Sequence, residues 1–285
     1  MIYDKIIEEA EELGDQMVQC RRDLHKYAET GWFEVRTASR VARYLTELGY
    51  EVLMGREVCQ DEARMGVPGQ EELDRQYARA LQQGADPEFA PRLKDGFTGV
   101  MGILRCGEGP VVALRFDMDA LGVIEDTQES HRPAREGFGS VNPGFMHACG
   151  HDGHTTIGLG VARVLMDIKD SLHGTVKLIF QPAEEGVRGA KSIVEHGHLD
   201  DVDFFLGSHV TGTQEADGAY DLIPGAGGSL ATTKLDAIFH GQAAHAGGSP
   251  EKGHNVMLSI ATAILNLYAI PRHSQGETRI NVGTV

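Results

Sequence analysis

Apolar residues at Ile6, Ala10, Leu13, Met17 and Leu24 recur at helical spacing through residues 3–25, and the same period returns from Val35 to Leu48, just ahead of Gly49. A stripe repeating every three to four residues is buried by a helix, and a glycine after the last repeat suits a left-handed helix end. Two helices are therefore predicted to open the chain. Residues 55–96 lose the pattern: they carry Pro68, Gly69 and charged clusters, with room for one solvated helix over 71–83, and read as a polar insertion outside the core. Short apolar runs bounded by turn residues follow at 99–104, 111–116, 175–181 and 203–208 and read as strands, while 157–168 is again helical. Strands alternating with a helix imply an α/β fold, a layered sheet with helices on its faces. From about Ser229 a second region begins, with a strand predicted over 232–239, a helix over 255–267 and a strand over 279–285. The expected division is thus 1–228 and 229–285.

Composition narrows the partners. Asp and Glu outnumber Lys and Arg 42 to 26, a formal charge of −16, which repels phosphate backbones and anionic lipid surfaces; no nucleic-acid and no membrane partner is expected. Apolar runs fall well short of the roughly 20 residues of a membrane helix, and the N-terminus carries Glu8, Glu9, Glu11 and Glu12 where a leader would be basic and apolar. A cytoplasmic protein is expected. The four cysteines show no close pairing, and a chain of this size does not need disulfides.

Chemistry concentrates at the ends of the predicted strands. Residues 146–154 read Met-His-Ala-Cys-Gly-His-Asp-Gly-His, three of the 13 histidines in one short stretch ahead of a predicted helix. Cys, His and Asp are the groups that bind borderline and transition metals, and a glycine-containing turn lets several converge. An incidental surface turn is the bland alternative. After the strand at 175–181 come Glu184 and Glu185; adjacent side chains point different ways, so one carboxylate can bind metal while the other serves as general base. Taken alone, such a pair is usually solvated surface. His209 closes the run at 203–208 in the same kind of place, and alone would more often be a packed or hydrogen-bonded histidine. Asp117 and Asp119 follow the strand at 111–116. Asp119 is a candidate to hold the far ring nitrogen of a ligating imidazole, whereas Asp117 fits a turn or cap equally well.

In order along the chain, Arg21-Arg22-Asp23-Leu24-His25 with Glu29-Thr30-Gly31, then Asp117-Met118-Asp119-Ala120-Leu121, then residues 146–154, 181–186 and 207–210 resemble the signatures of the M20 peptidase family, and within it the amidohydrolase branch. The resemblance implies a mixed-sheet, two-metal hydrolase domain with helices on both faces and a smaller α+β lid or dimerisation domain beginning near 229. It implies that Cys149 bridges two divalent metal ions, that His151 and His209 complete one site, that Glu185 contributes to the other, and that Glu184 is the general base. His245, in Gly241-Gln242-Ala243-Ala244-His245-Ala246-Gly247, resembles the lid histidine that stabilises the oxyanion in a partner subunit's site, with a plain surface loop as the alternative. The family draws a last histidine ligand from a segment after the lid; nothing here corresponds to it, so the chain is expected to stop before that ligand.

Thiolate and imidazole ligands suit zinc, Zn(II), by softness, while the resemblance places manganese, Mn(II), slightly ahead. The insertion at 55–96 and the Ser130-His131-Arg132-Pro133 run resemble, inside the branch, members that act on p-aminobenzoyl-glutamate, and that resemblance implies this N-acyl amino acid as the one cleaved. A general N-acyl-amino-acid or peptide amidohydrolase is the alternative enzyme, and a silent metal-binding fragment the alternative of another class. A homodimer, or a hetero-oligomer with a related subunit, is the implied assembly.

Overall fold

The computed structural model describes residues 2–210 and 231–285. The chain divides into two units, Met1–Asp217 and Gly218–Val285, each treated by itself; the boundary expected at 228/229 lies outside the described residues.

The first unit opens with α1 (Ile2–Glu12) and α2 (Gly14–Lys26), the predicted first helix interrupted at Leu13, followed by α3 (Val35–Leu48). Gly49 ends α3 at φ +92, taking the last carbonyls with its N–H as the sequence led us to expect. Five strands follow: β1 (Glu51–Met54), β2 (Val100–Arg105), β3 (Val111–Asp117), β4 (Thr175–Gln181) and β5 (Phe204–Gly207). They form one mixed sheet in the order β1-β2-β4-β3-β5, antiparallel across β1-β2 and β2-β4 and parallel across β4-β3 and β3-β5. Only β1, four residues long, was not predicted.

Alternation along the central strands builds two cores. Val100 and Leu104 of β2, Phe116 of β3, and Leu178 and Phe180 of β4 face one side, against Val41 and Leu45 of α3 and Leu159 of α6 (His151–Asp167). Met101, Ile103, Ala113 and Ile179 face the other, with Trp32, Phe97 and Ile193 of α7 (Ala190–Glu195). Side chains of a strand leave on alternate faces, so helices on both sides are what bury these strands. Helix α6 comes unusually close: a Cβ on Gly158 would lie 2.7 Å from the rings of Phe116 and Phe180. Two further helices complete the first unit, α4 (Gln70–Gln82) and the single turn α5 (Arg132–Arg135).

The insertion at 55–96 is not the solvated excursion its composition suggested. Val58, Cys59, Leu73, Ala80, Phe89, Ala90 and Leu93 are buried, and Leu73, Gln76 and Ala80 form the inward face of α4. A few apolar residues at helical spacing suffice to bury one face, and the charged residues between them hid that face from a reading by composition.

In the second unit, α8 (Val256–Tyr268) forms as predicted, capped by the Asn255 side chain, which accepts the Met257 N–H at 3.0 Å. The strands predicted over 232–239 and 279–285 do not form among the described residues. Leu235 and Ile238 are 88% and 78% exposed; alternation alone makes no strand where no neighbour pairs with the backbone. Among the described residues no helix is long and apolar enough to cross a membrane.

Candidate metal centre

Because β3, β4 and β5 run parallel, with Asp117 beside Gln181 and Arg115 beside Gly207, the residues that follow all three emerge at one end of the sheet. That end is where open α/β sheets place their sites. Gly150, at φ +85, turns the chain so that α6 starts at His151. The histidine motif therefore does not stop short of the helix, as expected from sequence; His151, Asp152 and His154 are its first turn. At the end of β4 the turn bearing Glu184 and Glu185 is strained, with Ala183 at φ +47 and Val187 at φ +57. A β-branched residue rarely takes that conformation without being held there.

The expected residues converge. Ligand atoms of Cys149, His151 and His209 all lie within 4.8 Å of one another, as do those of His151, Glu184 and Glu185. Cys149 Sγ is 3.4 Å from His209 Nε2, and His151 Nε2 is 3.9 Å from Glu184 Oε2. His151 Nε2 and Glu185 Oε1 are buried and have no hydrogen-bond partner among the described residues. An orphaned imidazole nitrogen beside an orphaned carboxylate oxygen is costly unless a cation satisfies both, so the residues present fit a metal. The charges agree. Burial, then the nearby Glu185 and Glu184 carboxylates, push the Cys149 thiol up to about 12, and burial followed by the charge of Asp117 raises Glu184. A divalent ion would reverse this crowding and hold the sulfur as thiolate.

A buried framework stands behind these groups. Asp119 accepts the Glu184 and Glu185 backbone N–H groups at 3.0 and 2.9 Å, one on each carboxylate oxygen. The His151 Nδ1–H is directed at the Asp119 carbonyl, 2.8 Å away, and its carboxylate, 3.3 Å away, which leaves the Nε2 lone pair facing the cluster. Burial works against a charged His151, yet the Asp119 hydrogen bond and the surrounding carboxylates raise it.

His154, quoted in the motif but given no task from sequence, donates from Nδ1 to Asp117 at 3.1 Å and accepts the Val210 N–H at Nε2 at 3.0 Å. Both ring nitrogens are thus used by the protein, and His154 braces the segment carrying His209. Its three-residue spacing from His151 was the signal that could have revealed this. Asp117 pairs also with Arg115 and is neither cap nor turn residue. Asp152 accepts from Arg21, from Gly153 N–H and from His25, whose other nitrogen meets Glu125 at 2.9 Å.

His245 belongs to the second unit. Its Nδ1 accepts the Gly247 and Gly248 N–H groups at 3.1 and 2.9 Å, which places the ring proton on Nε2.

A family model described as peptidase family M20/M25/M40 matches residues 113–278, more than half of the chain. The chain belongs to this family. It is 51% identical over 274 residues to one of the subunits of p-aminobenzoyl-glutamate hydrolase from Escherichia coli (strain K12), and 51% identical over 275 residues to indole-3-acetyl-aspartic acid hydrolase of Enterobacter agglomerans. Each match takes in 96% of this chain and 62% of the relative, so the chain spans less than two thirds of these relatives' length. The crystal structure of an aminobenzoyl-glutamate utilization protein from Klebsiella pneumoniae, 39% identical, superposes with a TM-score of 0.69, covering 98% of this chain and 63% of that one.

Proposed function

We propose that this chain belongs to a metal-dependent amidohydrolase that cleaves the amide bond between an aromatic acyl group and an acidic amino acid, foremost p-aminobenzoyl-glutamate. The observation that carries this reading is the cluster of Cys149, His151, His209, Glu184 and Glu185 around two orphaned buried ligand atoms. By the family resemblance Cys149 would be the ligand shared by two divalent ions, with His151 and His209 completing one set and Glu185 contributing to the other; the first three group together here, as do His151, Glu184 and Glu185. Once bound, the ions supply polarisation of the scissile carbonyl and a more acidic water.

The remaining steps belong to the protein. Glu184, which the motif makes the base, sits 32% exposed at the edge of the cluster; a raised affinity for protons suits a group that takes one and gives it back. Its carboxylate removes a proton as the water oxygen bonds to the carbonyl carbon. It then delivers that proton to the amide nitrogen as the C–N bond breaks, releasing p-aminobenzoate and glutamate. His245, with its proton on Nε2, has the donor an oxyanion needs, and would act in the site of a partner chain, in a homodimer or a hetero-oligomer with a related chain. Manganese is placed ahead of zinc on the family resemblance. The free cysteines accord with a cytoplasmic setting.

The equal identity to the indole-3-acetyl-aspartic acid hydrolase favours a second substrate, an indole-acetyl conjugate of aspartate. Zinc and manganese titrations, followed by liquid chromatography of p-aminobenzoyl-glutamate, indole-3-acetyl-aspartate and hippurate incubated with metal-loaded and chelator-treated protein, test both. Metal-dependent release from an acidic conjugate supports the reading. Preference for hippurate overturns the substrate, and failure to bind either metal overturns the mechanism.

A further inference from the structure

The turn that carries Glu184 and Glu185 has a second anchor, which the hydrolytic chemistry does not use. Glu34, at the start of α3, is fully buried, as is Thr98. One Glu34 oxygen accepts the Ala183 N–H at 2.8 Å, across 149 residues of sequence, and the other accepts the Thr98 hydroxyl at 2.6 Å. Asp119 takes the next two N–H groups, those of Glu184 and Glu185. Three consecutive amides are therefore held by two buried carboxyls. A left-handed residue in a turn makes successive N–H groups converge into a concave donor surface, a shape that ordinarily binds anions; here the acceptors are the protein's own carboxyl oxygens. The turn is closed from within as well, by Val187 N–H on Glu184 O at 2.7 Å and Gly189 N–H on Ala183 O at 2.8 Å. None of these inner bonds fixes the Ala183 amide, whose acceptor among the described residues is Glu34. Positive φ at both Ala183 and Val187 is strain that something must hold in place.

We propose that Glu34 is a positioning residue for the metal centre: by holding the Ala183 amide it locks the strained turn in the conformation that presents Glu184 and Glu185 to Cys149 and His151. The placement depends on the acceptor oxygen and not on charge, since a glutamine there keeps one oxygen for Ala183 and can donate its amide hydrogens to the Thr98 oxygen.

The proposal rests on the metal-centre reading, so the test has one arm that does not. The full chain and its Glu34→Ala, Glu34→Gln and Thr98→Val variants are compared by amide hydrogen exchange at 183–185 in the metal-free state and by zinc titration against a chromophoric chelator. Glu34→Ala is expected to speed exchange at these amides by at least about tenfold and to weaken zinc binding about 10- to 100-fold, the usual effect of losing a group that orients a ligand, while Glu34→Gln stays within about threefold of wild type on both. If Glu34→Ala does not fold, Thr98→Val decides, with a smaller change in the same direction expected. Wild-type exchange and zinc affinity in Glu34→Ala (or in Thr98→Val, where that variant decides) overturn the proposal, as does a Glu34→Gln loss as large as that of Glu34→Ala. Absence of zinc binding in the wild type would sink the metal-centre reading, and the exchange arm would still judge Glu34.

Discussion

The two histidines of the cluster live in different surroundings. His151 is fully buried on α6, its far nitrogen held by Asp119 and its ring stacked on His154 at 4.9 Å. His209 follows β5, whose four residues are all exposed, and its Nδ1 turns to its own neighbour, the Val210 carbonyl, at 2.6 Å. One half of the centre is set in advance by packing between α6 and the sheet. The other half depends on a backbone brace from His154. Burial, more than the identity of the ligand, decides how much ordering a bound ion must impose, and so where substitution should hurt most.

That contrast can be broken most directly at the ligands. Cys149→Ala, which removes the thiolate proposed to be shared, should lower zinc or manganese affinity by at least about 100-fold, and His151→Ala should do nearly as much, since it takes a donor from a preset geometry. His209→Ala should cost only about tenfold, because part of its ordering falls to the ion itself. Titration of the three variants side by side checks the order, and an equal loss at His209 would show the two halves to be equally preset.

Glu184→Gln separates base from ligand. Turnover of p-aminobenzoyl-glutamate should fall at least about 100-fold with metal content unchanged, measured by product release beside elemental analysis. Metal loss in that variant would reassign Glu184 to the ligand set.

The preset half also predicts a local sensitivity in the packing. Gly158→Val drives atoms into Phe116 and Phe180 and should destabilise the fold by about 1–3 kcal/mol, the usual cost of overpacking. Two residues on, the nearest atom to a Cβ at Gly160 is the flexible Met17 sulfur at 3.2 Å. Gly160→Ala should accordingly be neutral or stabilise by up to about 1 kcal/mol. Urea unfolding of the pair settles whether the close approach of α6 matters.

The smallest expected effect is on pH dependence, and it comes from two buried histidines beside the motif. Burial pushes His147 down to about 4, with Asp152, His25, His151 and Asp119 around it. Burial also opposes a charged His25, but its hydrogen bonds to Asp152 and Glu125 outweigh this and raise it; Arg21 and His131 complete that network. Below the ordinary histidine value the unfolded chain takes up the His147 proton first, so stability falls as pH drops from about 6.5 toward 4. Above it the folded chain retains the His25 proton longer, so stability falls as pH rises through the folded value of His25. Unfolding midpoints should therefore peak in mildly acidic buffer, and His25→Gln should flatten the alkaline side alone.

Much of this architecture could be read from the residues themselves. The helix ending at Gly49, all four predicted strand runs of the first unit within a residue of their ends, and the five converging site residues follow from periodicity, turn chemistry and the kinds of side chain placed there. What escaped was whatever depends on partners distant in sequence. β1 is too short to announce itself and exists because β2 offers an edge. The inward face of α4 was masked by its charges. The runs at 232–239 and 279–285 alternate like strands but have no described neighbour to complete them. Glu34 meets Ala183 across 149 residues, and His25 meets Asp152 and Glu125 across 127 and 100, distances at which no local pattern can signal the pairing.

Asp119 carries a consequence for inheritance. One carboxylate is tied to His151 and to the amides of both Glu184 and Glu185, so a change at any of these four positions alters the background against which the others are judged. Substitutions there should combine non-additively, with coupling of the size found for residues sharing one network, about 0.5–3 kcal/mol. A lineage altering this centre one residue at a time would cross poorer intermediates, whereas His209, held by a separate brace, can drift more nearly on its own.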